Sequence, residues 1–339
     1  MNLTDRVATF AQLGDFLKKV ENNAELQEIA HRAYYSNHWF TPENVLKALQ
    51  AIAGEYLNEE KLSAWIKGYN GSVEAPKNVG VVMAGNIPAV GFHDLLCVLI
   101  SGHRLLAKVS TPDFVLINYL IKKIIEINPA FGPYIQVSER LNPADAFIAT
   151  GSSNSARYFD YYFSKKPHII RRNRSSVAVL TGQETADDLQ ALGHDVLDYF
   201  GLGCRNVSTL FVPQEYDFIP FLKQLESRAF QFTSHHKYNN NYDYNKSIYL
   251  INGVPHFDNG FLLLTENEGL VSPISTLYFQ RYFDQDDLAQ KLTRLSETIQ
   301  CVASKDGFYP GSVALGQTQR PGLSDYADGV DTMAFLLSL

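Results

Sequence analysis

The feature that most constrains this chain is the alternation of strand-like and helix-like segments between residues 79 and 163. Val79-Gly80-Val81-Val82-Met83-Ala84 is a short apolar run rich in β-branched residues and predicts a buried strand. Gly85-Asn86-Ile87-Pro88 predicts a turn, with Pro88 placed to open a helix over 89–100. Residues 105–109 predict a second strand, 115–127 a helix, and 145–150 a third strand. Gly151-Ser152-Ser153 then leads into a helix through Phe163. Such alternation is the signature of an α/β fold on a parallel sheet.

The pattern restarts at Val177-Ala178-Val179-Leu180. A helix over about 185–200 follows, then a glycine-rich turn holding Cys204, then a strand over 208–212. Residues 247–251 and 275–279 predict further strands and 288–297 a helix, so a second α/β unit is expected. Before the alternation, Val7, Phe10, Leu13 and Leu17 recur at helical spacing. Thr41-Pro42-Glu43 opens a second helix with a hydroxyl cap, a first-turn proline and an acid, and Gly54 is placed to end it. Residues 69–72 predict a loop. Tyr238-Asn239-Asn240-Asn241-Tyr242-Asp243-Tyr244-Asn245 predicts a polar loop packed by its tyrosines, with an aromatic ligand platform as the alternative.

Composition narrows the function classes. In 339 residues, 45% are hydrophobic and 19% charged, enough for a real core and about two domains. The 29 Lys and Arg against 36 Asp and Glu give a net charge of −7, which argues against nucleic acid as a partner. Cys97, Cys204 and Cys301 are odd in number and widely spaced, so neither a disulfide framework nor a cysteine zinc site is expected. His235-His236 lacks spaced partners, and no metal is expected. The N-terminal stretch carries Asp5, Arg6 and Asp15 within its apolar pattern, unlike a signal peptide. The most apolar stretch, 89–109, is broken by His93, Asp94, His103 and Arg104, so no membrane span is expected. A reducing, cytoplasmic setting follows as an expectation.

Several residues could carry chemistry. Cys204 stands in Gly201-Leu202-Gly203-Cys204-Arg205-Asn206. A helix beginning just after this turn would lower the thiol pKa and bind an oxyanion, with Arg205 adding charge; the alternative is a structural cysteine at a tight turn. Cys97, among leucines and valine, reads as core, and Cys301 as structural. Asn86, after the first strand, reads as an oxyanion donor or as a turn asparagine. Lys108 ends the second strand as a ribose or phosphate ligand, or as a solvated lysine. Gly151-Ser152-Ser153-Asn154 could present backbone N–H groups to a phosphate. Arg171-Arg172-Asn173-Arg174 reads as a solvated loop or as a site for a phosphorylated tail.

Taken in order from Asn78 to Leu339, these elements resemble the aldehyde dehydrogenase superfamily, and within it the LuxC-type acyl-CoA reductases. Met83-Ala84-Gly85-Asn86-Ile87-Pro88 is similar to the strand-turn carrying that superfamily's oxyanion asparagine. Leu106-Ala107-Lys108-Val109-Ser110-Thr111 resembles its strand ending in a cofactor lysine, Ile148-Ala149-Thr150-Gly151-Ser152 its pyrophosphate turn, and Gly203-Cys204 its nucleophile. Asp325-Tyr326-Ala327-Asp328-Gly329-Val330-Asp331-Thr332 is similar to the LuxC-type C-terminal signature. The resemblance implies a helical N-terminal region (1–75) and two α/β domains with parallel-rich sheets. One is a Rossmann-like cofactor domain (76–174, with a return of 311–339), the other a catalytic domain (175–310) carrying Cys204.

It further implies reduction of an acyl-CoA, a fatty acyl-CoA being the first expectation, to an aldehyde. Cys204 and Asn86 would act at the thioester, with Lys108, Thr111, Gly151 and Ser152 at the cofactor. Aldehyde-oxidising relatives carry a glutamate base just before the second domain, whereas residues 169–174 here contain no acid. That departure fits acyl exchange with a thiol rather than hydrolysis. A ribose-binding glutamate would fall at Gly269, with Glu268 one residue off. Three residues after the lysine, where NAD-dependent relatives often carry glutamate, stands the neutral Thr111. NADPH is therefore the expected cofactor, with NADH open. The oxidative direction, as a CoA-acylating aldehyde dehydrogenase, and a non-catalytic nucleotide- or CoA-binding protein are the alternatives. A homodimer or an acyl-transferring partner enzyme is also left open.

Overall fold

The computed structural model describes residues 1–69, 73, 75–151 and 153–339, without the side chains of 153–156. The predicted turn residues 70–72 and Ser152 therefore lie outside the described residues. The chain forms two compact units: residues 1–173 with 321–339, and residues 174–320.

The first unit begins with α1 (Leu3–Leu17), α2 (Ala24–Ser36), α3 (Pro42–Ala51) and α4 (Glu59–Lys67). Each has an oxygen-bearing N-cap: Asn2, Asn23, Thr41 and Asn58 accept from backbone N–H groups of the first turn. Gly54 does not end α3. A π turn over Ile52–Tyr56 continues it, with Leu57 N–H donating to Ile52 C=O at 3.1 Å.

The alternation follows as β1 (Asn78–Val82), α5 (Phe92–Ser101), β2 (Arg104–Lys108), α6 (Phe114–Ile127), β3 (Ile135–Val137), β4 (Ala146–Thr150), α7 (Ser153–Phe163) and β5 (His168–Arg171). The five strands are all parallel, in the order β3-β2-β1-β4-β5. Pro88 does not open a helix. Ala89 takes a left-handed φ of 55°, and α5 starts three residues later, at Phe92.

Val79 and Val81 pack against α1–α6 in the main core, which Leu323, Met333 and Leu336 of the C-terminal segment complete. The opposite sheet face carries a smaller cluster of Leu106, Leu141, Ala144 and Phe147, with Val82 and Phe163 against it.

The second unit contains β6 (Ser175–Val179), α8 (Ala186–Leu197), β7 (Val207–Pro213), α9 (Ile219–Leu225), α10 (Ala229–Thr233), α11 (His236–Ile251), β8 (Phe257–Asp258), β9 (Leu263–Glu266), β10 (Thr276–Tyr282), α12 (Gln285–Leu295), β11 (Ile299–Ser304) and β12 (Val313–Ala314). Its sheet order is β12-β11-β6-β7-β10-β9-β8, parallel except for β8 against β9.

The Tyr/Asn segment is not a loop, and 247–251 is not a strand: both belong to α11. Asparagine has low helix propensity, but Tyr238, Tyr242 and Asn245 are spaced to share one buried face, and tertiary packing overrides propensity. The last helix, α13 (Thr332–Leu337), returns to the first unit and is capped by Asp331. Among the described residues, no helix is long and apolar enough to cross a membrane.

His103 ties α13 to the sheet. Its Nδ1 accepts from Lys77 N–H at 3.0 Å and its Nε2 donates to Leu336 C=O at 2.8 Å, an arrangement that needs the neutral imidazole. Burial pushes its pKa below the ordinary 6.5. A depressed histidine contributes stability that is complete above the unfolded pKa and is lost as pH falls through the folded one. Wild-type melting temperature should therefore drop more between pH 7.5 and pH 5 than that of His103→Gln; equal drops would remove this linkage.

Candidate active site

In the first unit, Asn86, Lys108, Thr111 and Gly151 all fall at the carboxyl ends of the parallel strands. Asn86 is exposed in the loop after β1, Lys108 is the last residue of β2, Thr111 is exposed just beyond it, and Gly151 follows β4. Because β2 and β4 lie on opposite sides of β1, the connections leaving β1 and β4 run in opposite directions. This is the switch point at which open α/β sheets bind ligands.

The β1 turn sits directly on the β2 loop. A Cβ at Gly85 would collide with Ser110 Oγ and come within 3.2 Å of Asp113 Cβ, so only glycine allows the approach. Met83 N–H donates to Lys108 C=O at 3.0 Å. Asp113 is buried there, with both carboxyl oxygens lacking a hydrogen-bond partner, and burial pushes its pKa well above the ordinary carboxylate range. Asp113 and Ser110 thus pack under the Gly85 backbone next to Asn86, a feature without a local sequence signal.

In the second unit, Cys204 is half-buried in a turn between α8 and β7. No helix begins after it. β7 starts at Val207, so the helix-terminus activation envisaged from sequence does not operate. A run of left-handed backbone enters the turn instead: Tyr199 (φ 53°), Phe200 (φ 59°) and Gly201 (φ 74°). At non-glycine residues such geometry costs about 1–3 kcal/mol each. Phe200 is fully buried, its ring 4.2 Å from that of His235 and 5.7 Å from that of Phe232. Burying such a side chain contributes about 1.5–3 kcal/mol, which offsets the strain at Phe200.

Asn206 clamps the turn. Its Oδ1 accepts from Gly203 N–H at 2.8 Å, and its Nδ2 donates to the carbonyls of Asp198 (2.8 Å) and Asp195 (3.1 Å). Ser176 Oγ on β6 donates to Cys204 C=O at 3.0 Å. Arg228 donates to Asp198 Oδ1 at 2.8 Å and to Gly193 C=O at 2.9 Å. The thiol is thus presented by a backbone fixed on three sides. Asparagine three residues after glycine, as in Gly203 and Asn206, is the turn signal the sequence carries here.

The other cysteines are placed differently. Cys97 is fully buried in α5, where burial pushes its thiol pKa up. Cys301 lies in β11, its Sγ 3.7 Å from Val302 C=O. Glu268 lines a polar cavity of about 570 Å³ together with Arg281, Lys291 and Arg294.

Within the basic cluster, Arg172 and Asn173 are exposed in the loop after β5, whereas Arg171 is not solvated. Arg171 ends β5 with its side chain 4% exposed. Its guanidinium donates to Asp94 Oδ2 at 2.6 Å and to Thr332 Oγ1 at 2.8 Å. Arg174 donates to Ile299 C=O at 3.3 Å. Lys108 lines a cavity of about 650 Å³ between β1, β2 and α7, walled by Phe147, Tyr158 and Tyr162 and rimmed by further cations. Aromatic walls with cationic rims suit an adenine nucleotide, so the residues present fit a dinucleotide cofactor.

These two units carry the aldehyde dehydrogenase fold: two α/β bodies on parallel-rich sheets with a helical N-terminal region. The chain is similar to an aldehyde dehydrogenase from Mycobacterium tuberculosis complexed with NAD+ (13% identity, TM-score 0.62), over 90% of this chain and 73% of that one. It is similar to an indole-3-acetaldehyde dehydrogenase from P. syringae in complex with NAD+ and IAA (12%, 0.65), over 94% and 75%. It is also similar to an NADP-dependent enzyme from E. coli (11%, 0.67), again over 94% and 75%. No protein-family model matches the chain, and no curated protein does.

Proposed function

We propose that this protein reduces an acyl-CoA to the aldehyde through a thioester on Cys204, with NADPH as the favoured reductant. The observation that carries the reading is the Cys204 turn, in which strained backbone and the Asn206 clamp hold one half-buried thiol in place on an aldehyde-dehydrogenase fold.

The Cys204 thiolate attacks the thioester carbonyl. The oxyanion receives hydrogen bonds from the Asn86 side-chain amide and the Cys204 N–H. The new C–S bond to Cys204 replaces the bond to coenzyme A, whose thiolate leaves and takes a proton. When bound, the reduced nicotinamide supplies the hydride that converts the acyl group to the aldehyde. Cys204 then leaves as the thiolate and regains its proton. Lys108, Thr111 and Gly151, with Ser152 beside it in sequence, would hold the cofactor, and small, neutral Thr111 would leave room for a 2′-phosphate.

Acyl transfer to a thiol is favoured over hydrolysis because residues 169–174 offer no carboxylate base, and Arg171, in that stretch, is engaged with Asp94. The cofactor-oxidation assay across acyl-CoAs from acetyl to palmitoyl tests the reading, and no turnover with any chain length would remove it. Within it, Asn86→Ala should lower kcat by roughly 10²–10³-fold with little change in cofactor Kd, the effect typical of losing one oxyanion donor. Weakened cofactor binding with unchanged single-turnover acylation would place Asn86 in another role.

A further inference from the structure

The turn between β1 and α5 is held in a conformation that its own sequence does not favour. Ala89 is buried with a left-handed φ of 55°. A residue other than glycine persists there only where its surroundings over-determine it, and such residues gather at functional sites. Both ends of the turn are clamped. At Gly85 the backbone lies against Ser110 and Asp113, and at Gly91 a Cβ would come within 2.7 Å of Met83 Cγ. Asn86, between these points, is exposed. Phe92 N–H donates to Ala89 C=O at 3.0 Å, so the Ala89 geometry also sets where α5 begins.

Asp113 takes no part in the proposed chemistry, yet it occupies a costly position. It is 1% exposed and ends the short 3-10 turn Thr111–Asp113, with its N–H donating to Ser110 C=O at 3.2 Å. Both carboxyl oxygens and the neighbouring Ser110 Oγ are buried without a hydrogen-bond partner. Burying a carboxyl in this way costs stability, whereas an apolar side chain would fill the same space without that cost. Burial disfavours the charge of Asp113, and among the described residues the Ala89 backbone is the one group that favours it. The carboxyl therefore meets the turn at two places, under Gly85 and at the left-handed residue itself.

We propose that Asp113 is a positioning residue, whose carboxyl braces the 85–91 turn with Ala89 left-handed and so aims the Asn86 amide at the thioester oxygen. This rests on the reading of Asn86 as an oxyanion donor and extends it one layer inward. Buried as it is, Asp113 touches neither substrate nor cofactor. Its effect passes through Asn86 and falls on acylation, leaving cofactor affinity unchanged. Asparagine should replace it, since a carboxamide of the same shape offers both a donor and an acceptor. Alanine and valine, which offer neither, should not.

The test is single-turnover acylation of the full chain by acetyl-, octanoyl- and palmitoyl-CoA without cofactor, read by intact mass. Asp113→Ala and Asp113→Val should slow it by about 10- to 100-fold, the scale of a small misplacement of a reacting group. Asp113→Asn should stay within about three-fold of wild type, and NADPH Kd within about two-fold in all three. Asp113→Ala added to Asn86→Ala should be no slower than Asn86→Ala alone, because the brace then has nothing to aim; a general packing defect would slow both backgrounds equally. Unchanged acylation in the Ala and Val variants, an Asn variant as slow as they are, or equal losses in the two backgrounds overturns the proposal and leaves the reductase reading standing. So does failure of both Ala and Val variants to fold, which makes Asp113 a residue of the fold alone. A wild type that no acyl-CoA acylates removes the reductase reading. Amide hydrogen exchange over residues 84–95 then judges the brace by itself: faster exchange in Asp113→Ala upholds it, and unchanged exchange overturns it.

Discussion

Cys204→Ala is expected to abolish both acyl-enzyme formation and aldehyde production while leaving the fold intact. A thioester carbonyl calls for a nucleophile that is polarisable and also a good leaving group, and a methyl group is neither. The fold should survive because Asn206, Ser176 and Phe200 hold the turn. Circular dichroism and a melting curve check the fold, and intact-mass measurement after acyl-CoA exposure checks the chemistry. Cys301→Ala should retain activity. Cys97→Ala should do so apart from a loss of stability, since removing a fully buried side chain leaves a cavity. Normal turnover by Cys204→Ala would remove the proposed mechanism.

The largest stability effect is expected at Arg171. Burial opposes its charge, but the Asp94 carboxylate outweighs burial and holds the guanidinium pKa above its ordinary value. The pair is made through one oxygen: Asp94 Oδ1 and Arg171 Nε are buried without a hydrogen-bond partner. Arg171→Met would strand the Asp94 carboxylate in the interior and release Thr332 at the start of α13. Breaking a buried pair in this way costs about 3–5 kcal/mol. Replacing both partners, as Arg171→Met with Asp94→Leu, should recover most of that loss, because well-packed apolar side chains substitute for a buried pair at little cost. Urea denaturation of the three proteins measures this. A single variant as stable as wild type would mean that the pair is not the tie between β5, α5 and the C-terminal segment.

The fold was legible where sequence periodicity and burial agree. β1, β2 and β4 are short apolar runs buried in a parallel sheet, and they appear within a residue or two of their expected bounds. Expectation failed where long-range packing decides the local conformation. The left-handed φ of Ala89 displaces the start of α5 from Pro88, and nothing in an alanine announces it. The polar sequence of α11 conceals a buried stripe of Tyr238, Tyr242 and Asn245 that forms only against Phe232, Asp258 and the carbonyl of Ile274. Arg171 looked solvated because its partners, Asp94 and Thr332, lie 77 and 161 residues away.

The candidate site divides in the same way. Cys204 and Asn86 stand out by residue type at strand-adjacent turns. Asn206 and Asp113 owe their places to what the sheets bring beside them, and Ser152 lies outside the described residues.

The central claim is that Cys204 carries the acyl group. Intact-mass spectrometry of wild-type protein mixed with each acyl-CoA from acetyl to palmitoyl, before and after NADPH, tests it most directly. The account predicts one added acyl group, mapped to Cys204 by peptide digestion, that disappears on adding NADPH as free aldehyde appears. An unmodified protein with every acyl-CoA, or an acyl group found on Cys97 or Cys301 instead, would contradict it.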